Sequence, residues 1–359
     1  MSSGLVVGKA AVEGEGLSAF ETYPIVVEGR TIQHRYSDFE WLRSALIQAL
    51  PSALVPALPP KTYLRPALTS YFYSDEDFRE ARRRGLEEFL VSILHHDSLR
   101  KCACFAAFLN GNDQQFQALK TQESAPWRSR IAALGKSLSS AIARPTFPLR
   151  LDSDRRFESL LTSLQAFQQH CQVLLEQVNS LIANFLQTSQ ALFTSGQTLE
   201  ALDRVADDRE VRELTSAIAV AGMEASQASV THANQLSSVL KYRLEALIRQ
   251  LDAAIEAVGR REGYLDRLAE EYASLTEKKQ RMSRDKYMEL DVKEQERRFE
   301  EAKEHLERFS DEMEREVKAA VREVRQEVRR AVGELAEMHI QHYEQTAVRW
   351  AKVCPRHAS

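Results

Sequence analysis

Proline divides this chain. Nine of its ten prolines lie at or before Pro148, the tenth is Pro355, and residues 149–354 contain none. Because proline breaks helix interiors, such a gap permits very long helices, whereas the proline-bearing first part has the texture of a compact mixed module. Length points the same way, since 359 residues suffice for two or three domains.

In the first part, Leu5–Val7, residues 23–27 and residues 31–36 read as strands punctuated by Gly14, Gly16 and Gly29. Phe39, Trp41, Leu42, Ala45, Leu46 and Leu50 then predict a helix, and Pro51, Pro56, Pro59 and Pro60 an extended loop. Residues 75–94 predict a second helix with Asp75 as N-cap, facing its core with Phe78, Leu86, Phe89, Leu90, Ile93 and Leu94. Residues 98–109 predict a last short one.

The proline-free part carries coiled-coil periodicity. Leu160, Leu164, Phe167, Cys171, Leu174, Val178, Leu181 and Phe185 alternate steps of four and three. Asp203 to Asp208 reads as a turn with a new N-cap. A second pattern runs through Leu214, Ile218, Leu244, Leu247, Leu251, Val258, Leu265 and Leu268, and a third from Phe299 through Leu306, Phe309, Met313, Val317, Val321, Val324 and Val328 to Leu335. Three antiparallel helices of ~50–75 residues would each be roughly 75–110 Å long. They predict an elongated bundle that buries more surface by dimerising.

A net charge of -4 makes the whole chain no general polyanion binder, so no nucleic-acid partner is expected and attraction to phosphate must come from local patches. Cys102, Cys104, Cys171 and Cys354 are few and irregular, as reduced cytosolic thiols are. The N-terminus has no basic segment followed by a long apolar run, and no stretch of 18 apolar residues exists. No phosphate-binding glycine loop, metal spacing or catalytic triad emerges, so neither cofactor nor enzymatic activity is expected. Cys102-Ala103-Cys104 reads as a buried helix start, and His95-His96 as a helix end.

One ordered set of residues carries chemistry: His34-Arg35-Tyr36-Ser37-Asp38-Phe39, then Pro59-Pro60-Lys61, then Arg82-Arg83-Arg84-Gly85. Arginine offers a planar fork for phosphate, lysine a point charge, and tyrosine a flat face for a sugar-like ring. In this order the set resembles the phox-homology (PX) domain, a module that reads membrane phosphoinositides. PX followed by three long helices resembles the sorting nexins that carry a BAR domain, and the ending His339-Ile340-Gln341-His342-Tyr343-Glu344-Gln345…Trp350 is similar to the sorting nexin four, seven and thirty branch.

The resemblance implies an α+β PX domain (a three-stranded sheet plus helices) at 1–113, an amphipathic linker helix at 124–148, and an all-α elongated three-helix BAR bundle at 149–354, dimeric. It implies that Arg35 holds a 3-phosphate, Tyr36 packs under the inositol ring, Lys61 meets the 1-phosphate and Arg82 hydrogen-bonds the 4- and 5-hydroxyls of phosphatidylinositol 3-phosphate. His34 stands where many relatives have a second Arg, which would weaken headgroup attraction and make it pH-sensitive. Tyr63 and Leu64 lie in a loop that dips into the bilayer in relatives.

Two further membrane devices follow from the residues. Trp127, Ile131, Leu134, Leu138 and Ile142 form one apolar stripe beside Arg128, Arg130 and Lys136, as in a helix lying in a headgroup layer. Lys278, Lys279, Arg281 and Arg284 cluster at the expected tip between the second and third helices, and Lys318, Arg322, Arg325 and Arg329 line a candidate curved face. The expectation is a peripheral protein on the cytosolic face of endosomal membranes. It would sense or generate curvature for cargo sorting and tubule formation, as a homodimer or a heterodimer with another sorting nexin, with coat or cargo proteins as partners. The alternative is a PX-tethered coiled-coil adaptor that never bends a membrane.

Overall fold

The computed structural model describes residues 4–13, 20–61, 75–110, 116, 120, 154–282 and 289–353. Contacts divide the chain into two compact units. The first comprises Met1–Tyr63, Glu76–Gln168 and Arg249–Glu323; the second comprises Leu64–Asp75, Gln169–Ile248 and Val324–Ser359.

The first unit opens with a small antiparallel sheet: β1 (Leu5–Val7), β2 (Ala11–Glu13), β3 (Phe20–Val27) and β4 (Arg30–Arg35). Strand β3 is central, with β4 on one side and β1 and β2 sharing the other. Val7 faces Ile25 but Ala11 faces Thr22, so that edge holds one extra residue, a β-bulge. Its cause is Pro24, which has no N–H to give the edge; its carbonyl still accepts from Gly8 N–H at 2.7 Å. The three expected strands are therefore present, but the sheet has four strands rather than three, because the exposed Ala11–Glu13 segment pairs with β3 beyond the bulge.

Strands β3 and β4 meet at Glu28-Gly29, both with positive φ (49° and 77°). That two-residue turn matches strand twist and sets a register in which Thr22 faces Arg35.

Helices α1 (Tyr36–Ala49), α2 (Asp75–His95) and α3 (Ala103–Leu109) cover the sheet, with a 3-10 turn at Leu99–Lys101. Helix α1 begins three residues before the first expected position because Asp38 caps it, accepting from Arg35 N–H at 2.8 Å. The core joins Tyr23 and Ile25 from the sheet to Phe39, Leu42 and Leu46 from α1, Leu86, Phe89 and Leu90 from α2, and Phe105 and Phe108 from α3.

The proline-free part forms α4 (Asp154–Val205), α5 (Arg209–Gln235), a π-helical segment (Leu236–Lys241), α6 (Tyr242–Met282) and α7 (Glu289–Ala351). The second expected helix is thus continuous from 209 to 282, with the π segment inserted. Asp208 caps α5 as expected, its carboxylate accepting from Glu210 N–H at 2.7 Å.

Within the first unit, α6 and α7 hold the sheet module by charge. Arg43 meets Glu256 through two bonds of 2.5 and 3.3 Å. Arg260 donates to the carbonyls of Pro51 (3.2 Å) and Ala53 (2.9 Å). Glu316 accepts from Leu54 N–H at 2.5 Å and lies 3.3 Å from His96 Nε2. Arg261 is fully buried between Asp154 (2.6 Å) and Ser310 (3.0 Å), over the Phe157 ring.

Candidate functional site

The start of α1 sits where β4 ends, so Arg35 and Tyr36 emerge together at the rim of the sheet. Along β4, Ile32 and His34 point inward while Arg35 is exposed. His34 therefore does not line the rim, contrary to expectation. It is buried, stacked on Phe108 at 3.9 Å, and donates from Nε2 to the Phe108 carbonyl at 2.8 Å.

The Pro59-Pro60-Lys61 loop reaches the same place because α2 carries a glycine under it. A Cβ on Gly85 would lie 2.8 Å from Pro59 Cβ, so only glycine lets the loop lie this close. Arg82, three residues earlier on α2, then donates from Nη2 to the Lys61 carbonyl at 2.5 Å. Tyr36 Oη donates to the Pro59 carbonyl at 2.5 Å. Burial, then the Glu40 carboxylate, push the Tyr36 phenol up to about 12 and keep it protonated.

Three of the four expected headgroup residues thus converge. Lys61 Nζ and Arg82 Cζ each lie 5.7 Å from the centroid of the Tyr36 ring. Arg35, adjacent in the chain, lays its guanidinium on Phe20, 3.3 Å from the ring centroid. Among the described residues Arg35 makes no ion pair, while Lys61 is only loosely held by Glu40 at 3.5 Å, with the lysine side chain 67% exposed.

The sequence reading missed Phe20, Glu21 and Arg79. Glu21 accepts from Arg82 Nη1 and from Arg79 Nε, both at 3.0 Å, and from Tyr23 Oη at 3.2 Å. The hairpin turn at Glu28-Gly29 is the signal that would have found the first two, because counting back from it brings Phe20 and Glu21 beside Arg35; no register in the sequence points to Arg79 on α2.

The other expected membrane residues fare unevenly. Lys278 pairs with Asp291 at 3.0 Å, Lys279 with Glu296 at 2.6 Å and Lys318 with Glu314 at 2.6 Å. Arg322, Arg325 and Arg329 are exposed and make no ion pair among the described residues. Tyr63, Leu64, Trp127, Arg128, Arg130, Ile131, Leu134, Lys136, Leu138, Ile142 and Arg284, and the side chain of Arg281, lie outside the described residues. Cys102 and Cys104 flank the start of α3 and are half-exposed rather than buried. No helix among the described residues is long and apolar enough to cross a membrane.

Residues 24–112 match the PX domain family. Over 107 residues the chain is 36% identical to human sorting nexin-3, a match covering 27% of this chain and 65% of that protein's length. Mouse sorting nexin-30 matches at 24% identity over 339 residues, 90% of this chain and 69% of the relative. The chain is a sorting-nexin homologue with an N-terminal PX domain. The solved cryo-EM structure of the SNX-BAR Mvp1 tetramer covers 97% of this sorting-nexin homologue and 99% of its own chain, with a TM-score of 0.72 at 16% identity. The fold, a small sheet with helices followed by long helices, is therefore that of an SNX-BAR protein.

Proposed function

We propose that this sorting-nexin homologue works in membrane-associated trafficking, and that its PX domain binds phosphatidylinositol 3-phosphate on the cytosolic face of endosomal membranes. The observation that carries the reading is the convergence of Lys61 and Arg82 on the Tyr36 ring, with Arg35 beside it and unpaired among the described residues. An inositol ring over Tyr36 would present its phosphates to Arg35 and Lys61, whose charges are the least committed to internal partners. Such charge-assisted contacts are strong and directional. The long helices serve self-association or pairing with another sorting nexin, and exposed Arg322, Arg325 and Arg329 offer an anionic membrane about 1 kcal/mol each. The protein acts by scaffolding and recruitment of coat or cargo, with no catalytic step.

Co-sedimentation with vesicles carrying phosphatidylinositol 3-phosphate, 4-phosphate or 4,5-bisphosphate tests the headgroup site. Selective 3-phosphate binding, reduced at least ten-fold by Arg35→Ala, is expected, roughly the worth of one charge-assisted contact. Equal binding to all three lipids, untouched by the substitution, would sink the reading.

A second reading has its own support. Lys278, Lys279 and Lys318 are engaged by carboxylates within the helices, as in an adaptor whose helices never bend a membrane. Replacing Arg322, Arg325 and Arg329 by Glu separates the two: vesicle tubulation is lost if these residues shape membranes, and headgroup binding alone persists in an adaptor.

A further inference from the structure

Glu21 is a carboxylate set inside a site otherwise built for anions. It stands on the central strand and takes Arg82 Nη1 on one oxygen and Arg79 Nε on the other, both at 3.0 Å. Arg82 is the most enclosed cation of the group, with its side chain 11% exposed against 46% for Arg79. Its other terminal nitrogen is taken by the Lys61 carbonyl, and its first also lies 3.3 Å from Tyr23 Oη. Arg82 is therefore committed to internal acceptors, in contrast to Arg35, which rests on Phe20 with no ion pair among the described residues.

This asymmetry has a chemical consequence. A ring seated on Tyr36 meets two cations able to take phosphate, Arg35 and Lys61. On its remaining side it meets Arg82 with Glu21 attached. A hydroxyl there satisfies both, accepting from a spare Arg82 N–H and donating to the Glu21 carboxylate. A phosphate there would bring up to two negative charges against that carboxylate, in a half-buried place where like-charge repulsion is only partly screened.

We propose that Glu21 is the specificity-determining residue of this site, excluding inositides that carry a further phosphate on the side of the ring facing Arg82. The proposal rests on the phosphoinositide reading above and adds what the ligand must lack. Specificity of this kind comes from the repulsive element as much as from the attractive ones.

The test uses the full chain and vesicles containing phosphatidylinositol 3-phosphate, 3,4-bisphosphate or 3,5-bisphosphate, with wild type, Arg35→Ala and Glu21→Gln. Glutamine keeps the size and an acceptor for Arg82; Glu21→Met repeats the comparison without an acceptor, and thermal unfolding of each variant checks its fold. Wild type is expected to favour the 3-phosphate. Glu21→Gln is expected to gain on the order of ten-fold for at least one bisphosphate relative to the 3-phosphate. Competition by soluble inositol 1,3-bisphosphate against the vesicles shows whether the free ring or only the lipid is taken. If both folded variants discriminate as wild type does, with Arg35-dependent 3-phosphate binding intact, Glu21 is not the selector although the headgroup reading stands. If wild type binds all vesicles alike and Arg35→Ala changes nothing, both fall together.

Discussion

Gly85 decides whether the headgroup residues meet at all. Helix propensity favours alanine at an interior helix position by about 1 kcal/mol. The added methyl, however, would lie 2.8 Å from Pro59 Cβ and 3.0 Å from Pro59 Cγ. A proline ring has no rotamer to escape into, and its carbonyl is tied down by Tyr36. Forced overpacking costs about 1–3 kcal/mol, so the clash wins. Gly85→Ala should lower the midpoint of thermal unfolding and, by pushing Lys61 away from Arg82, weaken binding to 3-phosphate vesicles. A raised midpoint with unchanged binding would show that the loop yields freely. Asp38 shows a related economy at the same rim. Burial alone would raise its pKa, but the neighbouring His34 ring and hydrogen bonds from Lys120 and the Arg35 backbone outweigh that and bring it down to about 2. Its charge therefore caps α1 at any physiological pH, and the position of Arg35 is fixed by backbone rather than by its own side chain.

At the scale of elements, the second unit holds a cluster that large apolar residues would normally supply. His232 on α5 stacks on His342 of α7 (4.5 Å, 13°), approaches His339 Nδ1 at 3.1 Å through Nε2, and meets Phe185 of α4 edge-on. Burial first, then the charges of His342 and His339, push the His232 pKa down to about 4. Burial also lowers His339, and burial with His339 and Arg349 lowers His342. An unfolded imidazole takes its proton near pH 6.5, before the folded ones do. Between about 6.5 and 4 the unfolded chain thus binds more protons, and stability must fall as pH falls through that window. Unfolding midpoints measured from pH 7.5 to 4.5 should drop steadily, and His232→Leu should flatten the slope; equal slopes would remove the cluster from the account. These rings were invisible as a cluster in the sequence, because their meeting depends on which faces of three helices touch. The large apolar rows were legible: Leu164, Cys171 and Val178 on α4, and Phe299, Leu306, Phe309, Met313, Val317 and Val324 on α7, are buried as their spacing required. Helix α5 was not. Leu214, expected inside, is 51% exposed, and the packed face is made by Thr215, Ala219, Gly222, Ser226 and Ser229. Small residues bring helix backbones close, Ser226 donating across to the Ser189 carbonyl at 2.9 Å, but they leave no hydrophobic period to read. The same limit applied at the site. Arg35, Tyr36, Lys61 and Arg82 stood in the sequence as an ordered set, whereas Phe20 and Glu21 became neighbours only through strand register.

For the molecule as a whole, the telling quantity is where apolar surface is left uncovered. Single exposed apolar side chains need no explanation, but a periodic row does. In the second unit, Val332, Ala336, Ile340, Tyr343 and Ala347 recur on α7 at steps of four, four, three and four, all exposed. Val332 is 49%, Ile340 56% and Tyr343 59% exposed, and Val348 beside them 63%. This is a second apolar stripe on a helix whose first stripe, through Val324, Ala331 and His342, is already buried. A helix with two apolar stripes has one partner more than a single chain supplies. Self-association through this face would cover it, and in a two-fold pair each substitution counts twice. Burying one such side chain is worth about 1.5–3 kcal/mol. Ile340→Glu combined with Tyr343→Glu should therefore raise the dissociation constant of the self-associated form by a hundred-fold or more. Sedimentation velocity across micromolar concentrations reads this directly: wild type should run above the mass of one chain and the double variant at it. Wild type running as a single chain throughout that range would instead leave the stripe to a different sorting nexin, and mixing the two proteins would then be expected to restore the heavier species for wild type alone.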